Sequence, residues 1–252
     1  MSAVGAFFDV DETLVRVNSM AEFLWYVPRH RSARSGLGAL ERGIGLARAA
    51  ARYARLALAS FSDPSRIRVN RRYYAGLRGV ELAEYEALAR RWFAEVAARC
   101  PPPFNAEVVA RLRDHQGRGH VVALVSGSHR ALVAQVAAEL GVVHVIATDV
   151  EVEGGRFTGR LVAAPLVSTG KVAAMRAFAE VHGLDLGRSH AYSDHASDLP
   201  MLEAVGHPCA IVGDPRLAAV AWERRWPTIV VGAGPGSPAR AAPPGDGRTE
   251  AA

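Results

Sequence analysis

Apolar runs without alternation mark the candidate strands of this chain. The first run covers Val4–Val10 and ends at acidic residues. Such a run is typical of a parallel strand that is covered on both faces. We predict further strands at His120–Ser128, Val142–Ala147, Ser189–Ser193 and Cys209–Val212. Between them we predict helices over Arg130–Leu140, Gly170–His182 and Leu199–Val205, and a hairpin or irregular flap around Gly154 and Gly155 that reaches about Val162.

The alternation of strands with helices predicts the fold class. It indicates an α/β fold with a doubly wound parallel sheet. In such sheets the ligand binds outside the carboxyl ends of the strands. Asp9, Ser126 and Asp194 all fall at predicted strand ends. We therefore expect these side chains to meet at one edge of the sheet.

About 100 residues between the first two strands contain no convincing strand. A crossover needs only about a dozen residues, so this length predicts an inserted all-helical domain. Helix-compatible periodicity recurs over Leu14–Val27, Gly36–Phe61, Asp63–Tyr74 and Val80–Ala98. We predict a core domain over 1–15 and 103–232, a helical cap domain over 16–102, and a disordered tail over 233–252 that is rich in Gly, Pro, Ala and Ser.

Charge is segregated along the chain. The segment from Arg29 to Arg91 holds 14 Arg, no Lys and five acidic residues, a net charge of +9, which leaves −4 for the remainder. A concentrated positive field attracts anionic partners. Arg48, Arg52 and Arg55 form one stripe on a predicted helix and could meet anionic lipid headgroups or a polyanionic substrate. The alternative is a solvated helical surface. We do not expect nucleic acid as a partner, and the oligomeric state stays open.

Two further compositional features narrow the class of protein. No stretch reaches the ~20 apolar residues that span a bilayer, and Met1–Phe8 lacks the basic segment of a signal peptide. We expect a soluble cytoplasmic protein, with peripheral membrane contact through the basic segment as an open alternative. Cys100 and Cys209 have no metal-like spacing, so we expect buried apolar side chains.

The acids after the first strand are candidates for chemistry. Asp9 and Asp11 are two residues apart, so an extended chain points both carboxylates to the same side. Two like charges at close range favour a shared proton or a bound cation. Either outcome supports a nucleophile beside an acid that exchanges protons. The alternative is an ordinary turn after a strand.

Three more candidate sites fall at the same predicted edge. Ser126-Gly127-Ser128 offers a hydroxyl and backbone amides to a phosphate. Lys171, the only lysine among 30 basic residues, lies at a helix start, and Asp194 and Asp198 are spaced i and i+4. Each alone is commonly a turn, a surface charge or a capping group. Together they supply the carboxylates, cation site and ammonium that a phosphoryl group needs.

With these motifs, the chain resembles the haloacid dehalogenase-like (HAD) superfamily. Within it, the chain is similar to the phosphoserine-phosphatase-like branch, subfamily IB, in which a helical cap interrupts a Rossmann-like core. Asp9-Val-Asp11-Glu-Thr13 matches the first motif, Ser126 the second, Lys171 the third and Asp194–Asp198 the fourth. The similarity extends from Val4 to about Val231.

The resemblance implies a Mg²⁺-dependent phosphomonoester hydrolase. Asp9 would be the nucleophile that forms an aspartyl-phosphate, and Asp11 would protonate the leaving alcohol and then activate water. Asp9, the backbone carbonyl of Asp11 and Asp194 would hold Mg²⁺, and Asp198 would support the metal shell or Lys171. Ser126 and Lys171 would hold the phosphoryl oxygens. The other expected substrate-binding residues are Thr13, Asn18 and Gly127.

The sequence departs from the family where substrate choice is expected. Phosphoserine phosphatases carry a Glu soon after the first motif, whereas this chain aligns Asn18 there, with Glu22 one helical turn later. Ser193 and Ser197 replace the Gly and Asn that often precede the two acids of the fourth motif. We expect an anionic phosphorylated metabolite or lipid-like phosphate as substrate. Phosphoserine hydrolysis, phosphotransfer to an alcohol, and a non-catalytic binding protein that uses its basic cap remain the alternatives.

Overall fold

The computed structural model describes residues 2–34, 43–44, 47–48, 50–51, 54, 66–99 and 101–231. The strands are β1 (Gly5–Phe8), β2 (Val121–His129), β3 (His144–Thr148), β4 (Val150–Glu153), β5 (Arg156–Leu161), β6 (His190–Ser193), β7 (His207–Val212) and β8 (Thr228–Val230). The helices numbered here are α1 (Ser19–Arg34), α2 (Arg66–Ala75), α3 (Leu82–Ala97), α4 (Ala106–Gly117), α5 (Arg130–Glu139), α6 (Thr169–Val181), α7 (Leu199–Glu203) and α8 (Pro215–Glu223). Short 3-10 turns cover Leu186–Arg188 and Ala196–Asp198.

Six strands form one parallel sheet in the order β3-β2-β1-β6-β7-β8. The first strand lies near the centre, where Phe8 pairs with Leu124 of β2 on one side and Tyr192 of β6 on the other. This order places the carboxyl ends of β1, β2 and β6 side by side. The predicted fold class is confirmed.

Successive residues along a strand lie on opposite faces of the sheet, and both faces are buried. Phe8 and Leu124 belong to one apolar cluster, whereas Phe7, Ala123 and Val125 belong to a second. Side chains of α4 and α5 join the first cluster, and side chains of α6, α7 and α8 join the second. Both faces are therefore covered, which explains why the predicted strands lack alternation.

The helices between β1 and β2 pack through aromatic side chains. Phe23 of α1 contacts Tyr85 and Trp92 of α3 with ring centroids 5.0 and 5.9 Å apart. These rings belong to the same apolar cluster as Phe8 of the sheet. Tyr74 of α2 is fully buried and belongs to this cluster as well. The division into core and cap domains stays a prediction.

Some expectations fall on other parts of the chain. Most of Gly36–Phe61, including Arg52 and Arg55, and the tail over 233–252 lie outside the described residues. Arg48 is described, and it is helical and exposed. Cys209 is buried, as expected, and forms no disulfide with another described residue. Among the residues with assigned structure, no helix combines the length and apolar character needed to cross a membrane.

The expected hairpin is present as β4 and β5, and it is joined to the linker between α2 and α3. Gly79 donates a backbone hydrogen bond to Phe157 over 2.8 Å, and Leu82 donates one to Gly155 over 2.9 Å. Gly159 has φ of +83°, and a Cβ there would lie 2.9 Å from the carbonyl oxygen of Ala75. The hairpin thus holds the end of α2 close to the sheet edge.

Candidate active site

The predicted strand ends converge on one cavity of about 530 Å³. Asp9, Ser126 and Asp194 line it from β1, β2 and β6, as the predicted topology requires. Helices α1 and α2 supply the facing wall. Other residues that line the cavity are Asp11, Asn18, Met20, Leu24, Arg66, Val69, Asn70, Tyr73, Gly127, Ser128, Lys171, His195, Ser197 and Asp198.

Lys171 joins two carboxylates at the centre of the site. Its Nζ donates to Asp9 Oδ1 and to Asp198 Oδ2, each over 2.6 Å, and all three residues are at most 7% exposed. Burial alone lowers the pKa of Lys171, but the carboxylates of Asp198 and Asp9 outweigh burial, so the pKa lies above the ordinary lysine value. The ammonium therefore stays charged at neutral pH.

The two acids that share this ammonium differ in charge state. Burial raises the pKa of Asp9 to about 7 against the lowering effect of Lys171, and the carboxylates of Asp198 and Asp194 raise it further. Burial also acts to raise the pKa of Asp198, but Lys171 and a 2.7 Å hydrogen bond from Ser193 Oγ keep it below its usual range. Asp198 is therefore the fixed anion that holds Lys171 in place, and Asp9 is the acid whose charge depends on further cations.

Thr13 links the carboxylates of Asp194 and Asp9, because its hydroxyl contacts both. The hydroxyl of Thr13 is 2.9 Å from Asp194 Oδ1 and 3.2 Å from Asp9 Oδ2. Thr13 is fully buried and is not among the residues that line the cavity, and its hydroxyl contacts both acids. Its expected role in substrate binding stays a prediction. Burial raises the pKa of Asp194 to about 6. Asp9 and Asp194 thus bring carboxylate oxygens close together, and oxygen donors of this kind fit a hard divalent cation such as Mg²⁺.

Asp11 is oriented by two serines. Ser128 Oγ donates to Asp11 Oδ2 over 2.6 Å, and the backbone N–H of Ser19 donates to Asp11 Oδ1 over 3.1 Å. The hydroxyl of Ser19 lies 3.0 Å from the same Oδ2. Burial raises the pKa of Asp11 despite these hydrogen bonds. A held carboxyl group of raised pKa is suited to proton exchange.

The Ser126-Gly127 segment near the carboxyl end of β2 is held by hydrogen bonds to the carbonyl group of Gly127. Gly127 O accepts hydrogen bonds from Tyr74 Oη over 2.8 Å, Thr148 Oγ1 over 2.9 Å and Asn70 Nδ2 over 3.2 Å. A Cβ on Gly127 would lie 3.1 Å from the carbonyl oxygen of Leu166. Two of these donors belong to α2, so this helix directly positions the candidate phosphate loop.

Asn18 and Glu22, the two residues considered for the position of the family's substrate-binding Glu, have different surroundings. Asn18 lines the cavity, whereas Glu22 forms a two-pronged ion pair with Arg99 at 2.8 and 2.9 Å and is not among the lining residues. Glu22 therefore does not take the position of the family's substrate-binding Glu. Arg66 lines the cavity instead and donates to Ser197 Oγ over 2.9 Å.

Several site residues were not predicted. Ser19 and Arg66 act through tertiary contacts that their local sequence does not signal. His195 is partly exposed and lines the cavity. Asn105, 1% exposed, donates to the carbonyl oxygen of Thr13 over 2.6 Å and so fixes the loop that follows Asp9. The position of Asn105 directly before an amphipathic helix could have predicted that a helix begins there, but not its contact with Thr13.

The start of α6 gives a direct test of packing. A Cβ on Gly170 would lie 2.0 Å from the carbonyl oxygen of Pro165, which is backbone and cannot move aside cheaply. We expect Gly170→Ala to lower the free energy of unfolding by about 1–3 kcal/mol, measured by urea denaturation. Gly117→Ala is the control, because nothing lies within 4 Å of its Cβ position, and it should change stability by no more than about 0.5 kcal/mol. Equal stability of both variants would contradict the described helix start.

Comparison with known proteins agrees with this geometry. The family model described as haloacid dehalogenase-like hydrolase matches residues 6–203. Phosphoserine phosphatase SerB1 of Mycobacterium tuberculosis is 35% identical over 222 residues, which cover 88% of this chain and 68% of that protein. A probable phosphatase of the same species is 31% identical over 225 residues, covering 89% and 74%.

A solved structure shows the same overall arrangement. A protein of unknown function from Bordetella pertussis Tohama I is 28% identical, with a TM-score of 0.78 over 91% of this chain and 99% of that one. The family match covers β1, β2 and β6, which carry the clustered acids and Ser126. The expectation of an enzyme of this family with phosphatase relatives is confirmed. The chain belongs to the haloacid dehalogenase-like hydrolases.

Proposed function

We propose that this protein hydrolyses phosphate monoesters through a phosphorylated Asp9. The observation that carries the proposal is the pair of acids at the cavity, with Asp9 bound to a buried lysine and Asp11 bound to serines. One acid is thus placed in a cationic environment and the other in a neutral one. This difference separates the roles of nucleophile and proton carrier.

In the first step, a carboxylate oxygen of Asp9 attacks phosphorus and the ester P–O bond breaks. The leaving alkoxide takes a proton from Asp11, which the Ser19 and Ser128 contacts hold toward the cavity. In the second step, water attacks the phosphorus of the aspartyl-phosphate and gives a proton to Asp11. The products are inorganic phosphate and free Asp9, so both acids return to their starting states.

The phosphoryl oxygens need positive charge and N–H or O–H donors. Lys171 supplies a charged ammonium beside Asp9, and Ser126 supplies a hydroxyl at the cavity wall. Asp9, Asp194 and the Asp11 carbonyl are the proposed ligands of Mg²⁺, which when bound would neutralise phosphoryl charge. Asp198 holds Lys171 rather than adding a further ligand.

The substrate class follows from the facing wall. Among the described lining residues of α1 and α2, Arg66 is the one charged side chain, and Met20, Leu24 and Val69 are apolar. Asn70 Oδ1 is buried without a hydrogen-bond partner in the described part of the chain. A leaving group with an acidic or neutral polar group and an apolar part matches this wall. Among the described residues of α1 and α2, no carboxylate lines the cavity to meet the ammonium of phosphoserine, although one relative carries the phosphoserine phosphatase name.

The proposal is tested with p-nitrophenyl phosphate and a panel of phosphorylated metabolites and lysophospholipid phosphates. We expect turnover in Mg²⁺, loss of turnover in EDTA, and recovery when Mg²⁺ is restored. Turnover that EDTA leaves unchanged would contradict the proposed metal requirement. No turnover of any substrate, combined with salt-sensitive binding to anionic vesicles, would instead support a binding protein.

Product analysis separates hydrolysis from transfer. Reactions are run with and without an added acceptor alcohol, and both phosphate and phosphorylated alcohol are measured. Inorganic phosphate as the sole phosphorus product in both reactions supports hydrolysis. A phosphorylated acceptor would identify a phosphotransferase.

A further inference from the structure

Three histidines cluster at the amino ends of the parallel strands, whereas the candidate active site lies at the carboxyl ends. His120 precedes β2 and His190 begins β6, so both lie at the amino ends of strands whose carboxyl ends carry Ser126 and Asp194. His115 comes from the last turn of α4 and is 3% exposed. One ring nitrogen of each histidine lies within 4.8 Å of the corresponding atom of the other two.

The distances within this cluster resemble those of metal ligands. His115 Nδ1 and His120 Nδ1 are 2.8 Å apart, and the rings of His115 and His190 have centroids 4.5 Å apart. Two nitrogens bound at about 2.0–2.1 Å to one metal are roughly 3 Å apart. One ring nitrogen of each of the three histidines is thus within reach of a common centre.

A neighbouring tyrosine gives the second observation. Tyr192 Oη lies 2.9 Å from His115 Nε2, the ring nitrogen that does not face the cluster. Histidine ligands usually donate their other N–H to an oxygen, which fixes the ring orientation and the tautomer. With Nε2–H donating to Tyr192, the lone pair of His115 Nδ1 points into the cluster.

We propose that His115, His120 and His190 form a second metal site, for a divalent transition ion of the Zn²⁺ or Co²⁺ type, with water as a further ligand. Imidazole nitrogens suit such ions, whereas the carboxylate set beside Lys171 suits Mg²⁺. The bound ion would join α4 to the amino ends of β2 and β6. This proposal does not depend on the proposed phosphatase activity.

The test is Zn²⁺ and Co²⁺ binding to the full chain in excess Mg²⁺, which occupies the carboxylate site. Competition with a chromophoric chelator measures Zn²⁺ affinity, and visible absorption of Co²⁺ reports nitrogen coordination. We expect one equivalent of each ion, and an affinity at least tenfold weaker in His120→Ala and in His190→Ala. His120 is the primary variant because it is only partly buried.

The matched control is His182→Ala. His182 and His144 form a separate histidine pair with ring centroids 4.9 Å apart, so the control removes a clustered histidine elsewhere. It should leave affinity and the Co²⁺ spectrum unchanged. Circular dichroism shows whether each variant is folded. Folded His120→Ala and His190→Ala proteins that bind Zn²⁺ as tightly as the unsubstituted chain would overturn the proposal, as would an unsubstituted chain that binds none.

Discussion

Asp9→Asn should abolish turnover of an aryl phosphate in Mg²⁺, with kcat lower by at least about 10⁴-fold. The amide is a poor nucleophile and cannot form the aspartyl-phosphate. It also removes a carboxylate ligand from the proposed Mg²⁺ site. The measurement is steady-state hydrolysis with saturating Mg²⁺, with urea denaturation to confirm that the variant is folded.

A matched control separates the role of Asp9 from the loss of one acid. Asp114 is exposed on α4 and forms an ion pair with Arg118, which directly follows that helix. It is not among the residues that line the cavity. Asp114→Asn should leave kcat within about twofold. An Asp9→Asn protein that retains kcat within tenfold of the unsubstituted enzyme would exclude Asp9 as nucleophile.

Lys171→Met is expected to have the second largest effect, and it acts on both activity and stability. The substitution keeps an unbranched stem as far as Cε but removes the ammonium that lies 2.6 Å from Asp9 and Asp198. Two buried acids then lose their common cation, and we expect the free energy of unfolding to fall by about 3 kcal/mol in EDTA. Because the ammonium also faces the proposed phosphoryl position, kcat/KM should fall by about 10²–10³-fold in Mg²⁺.

Arg176→Met provides the comparison for Lys171→Met. Arg176 is exposed on the same helix, α6, so the same side chain replaces a cation that lies in solvent. Stability and kcat/KM should both stay near the unsubstituted values. If Lys171→Met is as stable in EDTA as Arg176→Met, the buried ion pairs do not support the site in the way described.

The sheet could be predicted because burial on both faces leaves a strong sequence pattern. Strand β1 is one such case, since Phe7 and Phe8 enter different apolar clusters. Strand β8 was not predicted, because Thr228–Val230 is a three-residue edge strand that follows a proline and leaves Thr228 and Val230 exposed. Helix α4 was also missed, because a buried histidine, His115, stands where an apolar residue would complete its pattern.

The candidate site was predictable as far as its groups follow strand ends. Asp9, Ser126 and Asp194 were located by that rule, and Lys171 by its place at a helix start. The contacts of Asp11 with Ser19 and Ser128 were not, since they join residues up to 117 positions apart. Arg66 was likewise unpredictable, because its role depends on where α2 packs.

The burial of Lys171 has a practical consequence for labelling. It is the only lysine of the sequence, and it is 5% exposed, charged and bonded to two carboxylates. Acylating reagents require an accessible, uncharged amine, so the folded chain should offer them no reactive lysine side chain. Modification at this single position would therefore report opening of the active site, with no background from other lysines.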